Sequence, residues 1–217
     1  TRQNFNSEVS YDADGETPFR FGSFTTMGEF YVETGLNIIG MSDYKRILSL
    51  DSAMAVVQFK KDYVAYQRNY FISYPANVMV MRFSADQPGK QNLVFSYAPN
   101  PVSTGNMASD SNKGLVYSAS LDNNGMKYVV RIQAETKGGT LSNADGKLTV
   151  KGADEVVFYI TADTDYKPNF DPDFKDPKTY VGVKPEETTK EWMNNAVSQG
   201  YTALFSQQYN DYAALFN

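Results

Sequence analysis

The sequence predicts a mainly β protein, a large antiparallel β-sandwich (a super-sandwich) that is followed by a pair of C-terminal helices. Three observations support this fold class. Residues 44–97 hold five strand-like runs in which residue types alternate at period 2, separated by short polar or Pro/Gly breaks. Residues 123–125, Asn-Asn-Gly, carry the turn signal of a β-hairpin. After Pro185 the apolar spacing changes from strand-like to helical.

The first half of the chain begins with a weakly patterned segment. Residues 1–26 are polar and dotted with glycine, so we expect a loop with one short edge strand around Phe19-Arg20-Phe21. Residues 27–33 form the first clear strand candidate. Further on, Val57 and Phe59 share one strand face while Gln58 lies on the other, which predicts a strand that covers a core on one side.

Two later strands are expected to be buried on both faces, because apolar residues occupy successive positions rather than alternate ones. In the first strand, Met79, Met81 and Phe83 lie on one face and Val78 and Val80 on the other. In the second strand, Val156, Phe158 and Ile160 lie on one face and Val157 and Tyr159 on the other. Such strands belong at the centre of a thick sandwich. We therefore expect a charge at Val80 or Met81 to unfold the domain.

Turn chemistry organises the second half of the sandwich. Residues 99–113 are rich in Asn, Ser, Gly and Pro and lack periodicity, so they are expected to form a long exposed loop. Alternating runs at residues 115–121 and 126–132 flank the Asn-Asn-Gly signal and predict a hairpin. Residues 143–146, Asn-Ala-Asp-Gly, predict a second turn.

The helical part divides at a glycine. Pro185 suits a first helical turn, and the acidic residues that follow it complement a helix N-terminus. Gly200 is expected to end the first helix, and a second helix with a wide apolar stripe runs from Tyr201 to the end of the chain. We therefore expect a sandwich domain over residues 1–184 and a helical linker over residues 185–217.

The composition excludes several kinds of chemistry. The chain has no His and no Cys, so Ser-His-Asp and Cys-His catalytic arrangements, disulfides and thiolate or imidazole metal ligands cannot form within it. Its formal net charge is −5, with Lys and Arg spread singly, so nucleic acid and anionic membranes are not expected partners. No apolar run approaches the roughly 20 residues of a membrane span.

Carboxylate chemistry is the main enzymatic option that remains. Asp163 and Asp165 fall on the same face of a strand end and form the best candidate pair for the two carboxyl groups that glycoside hydrolysis requires. The competing interpretation, a charged strand terminus, is favoured by their position. Arg68 and Arg82 lie on strands and are expected to be structural ion-pair partners rather than sugar ligands.

A calcium site is a second option in the acidic segment of residues 163–176. Asp171-Pro172-Asp173 offers closely spaced oxygen ligands, but the glycine and terminal glutamate of an EF-hand loop are absent. A solvated acidic loop is the favoured interpretation.

A series of segments, in a fixed order, carries a resemblance to a known family. The segments include Met27-Gly28-Glu29-Phe30-Tyr31-Val32, Tyr44-Lys45-Arg46, Leu50-Asp51, Tyr66-Gln67-Arg68-Asn69-Tyr70-Phe71-Ile72-Ser73-Tyr74-Pro75, Gly152-Ala153-Asp154 and Asp211-Tyr212. Together they resemble the N-terminal domain of family-95 glycoside hydrolases, the α-L-fucosidase type. The chain departs from that family's pattern where Gln208 replaces a usual histidine and Asn69 a common acidic residue.

The resemblance implies a non-catalytic accessory domain. In that family a β-sandwich is linked by helices to an (α/α)6 barrel, and the barrel holds the catalytic groups. The resemblance thus assigns no catalytic, cofactor-binding or metal-binding residue to this chain, which alone is expected to be inactive. It implies two partners, a C-terminal catalytic domain and a glycan substrate, and a periplasmic or extracellular location.

Two alternatives remain open. One is a stand-alone carbohydrate-binding or surface-adhesion module that uses exposed Tyr and Phe as stacking platforms. The other is the corresponding domain of a maltose-phosphorylase-like enzyme. Exposed apolar surface on the terminal helices would favour the accessory domain, whereas a line of exposed aromatic side chains on one sheet would favour the binding module.

Overall fold

The structure, a computed structural model, describes residues 10–11, 18–19, 25–122, 124–171, 175–176 and 178–216. Its strands are β1 (Ser10–Tyr11), β2 (Pro18–Phe19), β3 (Gly28–Glu33), β4 (Met41–Ser49), β5 (Met54–Lys61), β6 (Val64–Ser73), β7 (Val78–Ala85), β8 (Gln91–Pro99), β9 (Ser103–Ser111), β10 (Gly114–Leu121), β11 (Lys127–Lys137), β12 (Thr140–Ala144), β13 (Lys147–Ala153) and β14 (Glu155–Thr164). One helical segment follows, α1 (Pro185–Phe216).

The strands form two main antiparallel sheets. The large sheet has eight strands in the order β4-β5-β6-β7-β14-β11-β10-β9, and the small sheet has four in the order β12-β13-β8-β3. The five runs predicted in residues 44–97 are β4 to β8. The predicted mainly β sandwich with C-terminal helices is therefore confirmed.

The main core lies between the two sheets. The fully buried side chains at its centre include Phe95 and Leu148 from the small sheet and Phe158 and Ile132 from the large sheet. Phe95 and Phe158 stack with ring centroids 4.7 Å apart, which joins the two sheets directly.

The large sheet is also covered on its outer face, where α1 packs. Val80, Val157 and Tyr159 point toward α1, while their sequence neighbours Met81 and Phe158 point into the core between the sheets. The prediction that β7 and β14 are buried on both faces is therefore confirmed.

One predicted loop is a strand. Residues 103–111, within the segment expected to be a long exposed loop, form β9, which pairs antiparallel with β10 at the edge of the large sheet. Most β9 side chains are exposed. Met107 is the one large apolar side chain of β9 and packs against the main core, so the strand carries no period-2 pattern and the prediction was wrong.

Both predicted hairpins are present. β10 and β11 pair antiparallel across the Asn-Asn-Gly turn, although Asn123 itself lies outside the described residues. β12 and β13 join at Asp145 and Gly146, which have φ angles of 51° and 69°. Two successive positive φ angles suit a tight hairpin turn, and this is why Asp-Gly occurs there.

The N-terminal prediction can be checked only in part. β1 and β2 pair with each other, so the described residues show two short strands where we expected one. Arg20 and Phe21, which belonged to the expected strand, lie outside the described residues.

The predicted pair of helices is also found. α1 is interrupted at Gly200, whose φ and ψ angles of 73° and 171° are not helical. Two helical pieces, residues 185–199 and 201–216, therefore pack on the large sheet on either side of a sharp break. No helix among the described residues is long and apolar enough to cross a membrane.

Candidate functional site on the helix-bearing face

The predicted carboxylate pair lies where β14 leads toward α1. Asp163 accepts hydrogen bonds from the hydroxyl of Thr188 at 2.6 Å and from the backbone N–H of Thr164 at 2.8 Å. Asp165 is 7% exposed and accepts the backbone N–H of Lys127 at 3.0 Å. Both carboxylates are thus engaged in bonds that hold the strand end, which favours the structural interpretation over a catalytic pair.

The two strand arginines differ in their contacts. Arg82 forms an ion pair with Glu155, at 2.5 Å between Nη2 and Oε2, which agrees with the expected structural role. The guanidinium of Arg68 lies 5.0 Å from the ring centroid of Phe59 and 5.7 Å from that of Phe83. No ion pair of Arg68 is found among the described residues, where its cation stacks on rings, so its ion-pair role stays a prediction.

The calcium option stays a prediction. Pro172 and Asp173 lie outside the described residues, and the backbone N–H of Asp171 donates to Asn169 at 3.0 Å. Within the described parts of the chain, no group of three or more acidic side chains gathers closely enough to hold a metal ion.

The outer face of the large sheet, on which α1 packs, is called the helix-bearing face. Met193, Ala196 and Leu204 of α1 are fully buried against side chains of the large sheet. Phe71 of β6 packs edge-on against the rings of Tyr201 and Phe205, at 5.7 Å in each case. Burial of this apolar stripe holds both pieces of α1 on the sheet.

Polar contacts attach the beginning of α1 to the sheet. The hydroxyl of Ser118 donates to Glu186, and the hydroxyl of Thr161 donates to the carbonyl of Thr189 at 3.1 Å. Arg131, which is 4% exposed, pairs with Asp110 at 2.5 Å and lies 3.7 Å from Glu186. These contacts offset part of the cost of burying the Arg131 charge and attach the beginning of α1 to the sheet.

A second polar cluster lies beneath the break in α1. The guanidinium of Arg82 is 4.9 Å from the ring centroid of Tyr201, the first residue after Gly200. Its hydrogen bond with Glu155 raises the pKa of Arg82. Burial, and then a 2.8 Å hydrogen bond to Glu135, raise the pKa of Tyr159. The charged cluster thus positions the start of the second helical piece.

Sequence reasoning did not find these partners. Arg82 and Glu155 are 73 residues apart in the chain, and strand register alone brings them together. The acidic partners of Arg131 come from β9, which was expected to be a loop, and from α1. No local pattern in the sequence signals either cluster.

Exposed apolar side chains bear on the choice between an accessory domain and a stand-alone binding module. On the second piece of α1, Tyr209 and Leu215 are 43% and 85% exposed. Exposed aromatic rings elsewhere lie on different elements and turns: Tyr31, Tyr44, Tyr63, Tyr74, Tyr166 and Phe170. Among the residues described, these rings form no line on a single sheet face, so the stacking platform of the binding module is not supported.

Comparisons with known proteins agree on a glycoside hydrolase relationship. The family whose model matches residues 3–169 is "Glycosyl hydrolase family 65, N-terminal domain". A probable alpha-fucosidase A of Aspergillus niger is 29% identical in an alignment of length 213 that covers 94% of this chain and 26% of that protein. Alpha-L-fucosidase 2 of Arabidopsis thaliana is 24% identical, over 81% of this chain and 23% of that protein.

A solved structure supports the fold. A putative kojibiose phosphorylase from the human microbiome matches with a TM-score of 0.57 at 10% identity, over 85% of this chain and 27% of that chain. Because the sequence identity is only 10%, this match supports the fold alone. The chain spans about a quarter of the length of these relatives.

Proposed function

Because the chain belongs to the family of glycosyl hydrolase family 65 N-terminal domains, we propose that it is the non-catalytic accessory domain of a larger glycoside hydrolase. Within that class, we propose the family-95, α-L-fucosidase type. The domain supports a separate catalytic barrel, and α1, as the linker of residues 185–217, leads from the sandwich of residues 1–184 toward it.

One observation carries the proposal. Three proteins named as fucosidases align with 81–97% of this chain, yet the aligned part is only 23–29% of their own length. The remaining three quarters of a protein of that kind leaves ample room for a catalytic domain. The hydrogen bonds that hold Asp163 and Asp165 at the strand end agree with this division of labour.

The exposed end of α1 gives structural support. Leu215 lies in the last turn of α1 and is largely exposed, whereas Leu204 of the same piece is fully buried. An exposed apolar side chain at this position is available for contact with another domain. We propose that the catalytic domain packs there, that a glycan is the substrate of the whole protein, and that the protein works in the periplasm or outside the cell.

The test compares this chain with a version extended by several hundred residues beyond residue 217. Both are incubated with p-nitrophenyl α-L-fucoside, and release of p-nitrophenol is followed. Activity in the longer form only is the expected result. Activity in the short chain would contradict the proposal, and loss of that activity in Asp163→Asn or Asp165→Asn would then identify the catalytic group.

The same pair of proteins distinguishes the fucosidase type from the phosphorylase-like alternative. Each protein is incubated with a disaccharide of α-linked glucose, with and without inorganic phosphate. Phosphate-dependent release of glucose 1-phosphate by the longer form, without fucoside hydrolysis, would contradict the fucosidase type while leaving the accessory role intact.

A further inference from the structure

The helix-bearing face of the large sheet extends beyond α1 and holds an open depression there. It lies around the β5–β6 hairpin and has a volume of about 510 Å³. Volumes of roughly 300–1,000 Å³ are usual for sites that bind small ligands. The charged and amide side chains that line it are Asp43, Lys45, Gln58, Lys60, Gln67 and Asp86.

The floor of this depression is a chain of oriented amides. Gln58 Nε2 donates to Gln67 Oε1 at 3.0 Å, and Gln67 Nε2 donates to Asn69 Oδ1 at 3.0 Å. Asn69 is 3% exposed and anchors the chain to Met54 through its own amide. Among the described residues, Gln58 Oε1 accepts no hydrogen bond, so this end of the chain presents a fixed acceptor beside a donor.

The rim carries balanced charge. Lys60 Nζ contacts Asp43 Oδ2 at 2.9 Å, and a hydrogen bond to Lys60 lowers the pKa of Asp43. Asp86 accepts the backbone N–H of Ala65 at 2.9 Å, which orients its carboxylate. Together with Lys45, these residues give the depression two cations and two carboxylates. Because the formal charges cancel, the depression does not favour a ligand of either charge.

These groups match a ligand with adjacent hydroxyls. A hydroxyl both donates and accepts, and a pair of neighbouring hydroxyls can bridge an amide or a carboxylate with two hydrogen bonds. The methylene stems of Lys45 and Lys60 supply apolar surface for the carbon face of a sugar ring. We propose that the depression is a binding site for a neutral oligosaccharide.

This inference goes beyond the accessory role proposed above. It assigns the sandwich a binding activity of its own, which is measured on this chain without any catalytic domain. A negative binding result and a negative fucosidase result are therefore distinguishable, because they come from different proteins and different readouts.

The experiment is a titration of the ¹⁵N-labelled chain followed by two-dimensional NMR. The probes are 2′-fucosyllactose, maltotriose and, as an anionic comparison, 3′-sialyllactose. We expect saturable shifts at the side-chain amide signals of Gln58 and Gln67 with at least one neutral sugar, at a dissociation constant on the order of 1 mM or tighter. We also expect 3′-sialyllactose to bind no more tightly than that sugar.

A matched pair of variants localises the binding. Gln58→Leu keeps the size of the side chain but removes the donor and the acceptor, so affinity should fall about tenfold. Gln207→Leu makes the same change on an exposed residue of α1 and should leave affinity unchanged. Both spectra report whether the variant remains folded.

Three results would overturn the proposal: no saturable shift with either neutral sugar, shifts confined to other surfaces, or a Gln58→Leu variant that is folded and binds like the wild type. Tighter binding of 3′-sialyllactose would overturn the assignment of a neutral ligand.

Discussion

At the scale of single residues, the ion pair between Arg82 and Glu155, beneath the break in α1, is expected to contribute measurably to the free energy of unfolding. Arg82→Met leaves Glu155 half-buried without its partner and removes the cation that stacks on Tyr201. We expect the free energy of unfolding to fall by about 1–3 kcal/mol. Urea unfolding followed by circular dichroism measures this change.

An exposed ion pair at the N-terminal end of α1, between Lys184 and Glu187, provides the control. Lys184 and Glu187 pair at 2.9 Å but are 74% and 70% exposed. Lys184→Met should therefore cost less than about 0.5 kcal/mol. Equal losses from Arg82→Met and Lys184→Met would show that the buried cluster does not hold α1.

Buried tyrosines make the fold sensitive to alkali. Burial raises the pKa of Tyr97 and of Tyr159 above the value of an unfolded chain, so folding favours their protonated forms. The resulting stability is complete below about pH 10 and declines as the pH rises above it. We expect the urea midpoint to drop between pH 8 and pH 11, and to drop less in Tyr159→Phe.

A tyrosine on the surface is the reference for this prediction. Tyr63 is 97% exposed, so Tyr63→Phe should lose as much stability between the two pH values as the wild type does. If Tyr159→Phe showed the wild-type decline as well, ionisation of Tyr159 would not limit the alkaline stability.

At the scale of elements, Gly200 decides how α1 folds onto the sheet. Its φ of 73° with ψ of 171° belongs to a backbone region that is almost restricted to glycine, and an added Cβ would meet no atom within 4 Å. Gly200→Ala should therefore lower stability by roughly 1–3 kcal/mol through backbone strain alone. Hydrogen exchange should rise first in residues 201–216.

Ser198→Ala, an exposed change two residues before the break, is the matched helix control and should have little effect. If Gly200→Ala were as stable as Ser198→Ala, the break would be maintained by packing of the two pieces and not by the glycine.

Strand β7 is the element whose burial on both faces can be tested most simply. Val80 is fully buried under α1, and Val80→Asp places an unpaired carboxylate there, which we expect to unfold the domain. Ile72 is 68% exposed on the neighbouring strand, so Ile72→Asp should remain folded. Circular dichroism and gel filtration of both variants decide the matter; a folded Val80→Asp would contradict the double burial.

The same elements show how far sequence reasoning reaches. Alternation predicted β4 to β8 because at least one face of most of these strands is packed, and it predicted the double burial of β7 and β14 from consecutive apolar residues. It failed at β9, where most side chains face water. The partners of Arg82 and Arg131 were beyond prediction, since tertiary register brings those residues together.

At the scale of the whole molecule, the sandwich presents two outer regions with different properties. Part of the helix-bearing face is sealed by α1, which ends in exposed apolar residues such as Leu215. The remaining part carries the polar depression around the β5–β6 hairpin. Our two proposals use these regions differently: the end of α1 contacts a second domain, and the depression binds a glycan.

The most direct measurement of the accessory role uses the longer protein with residues 1–217 removed. Its rate of p-nitrophenol release from p-nitrophenyl α-L-fucoside is compared with that of the intact longer protein, with and without the purified chain added in trans. Our account predicts that the truncated protein keeps less than about a tenth of the rate, roughly 1.4 kcal/mol or more of lost transition-state stabilisation, and regains activity when the chain is added. Full activity without residues 1–217, or no recovery on adding the chain, would contradict a supporting role for this domain.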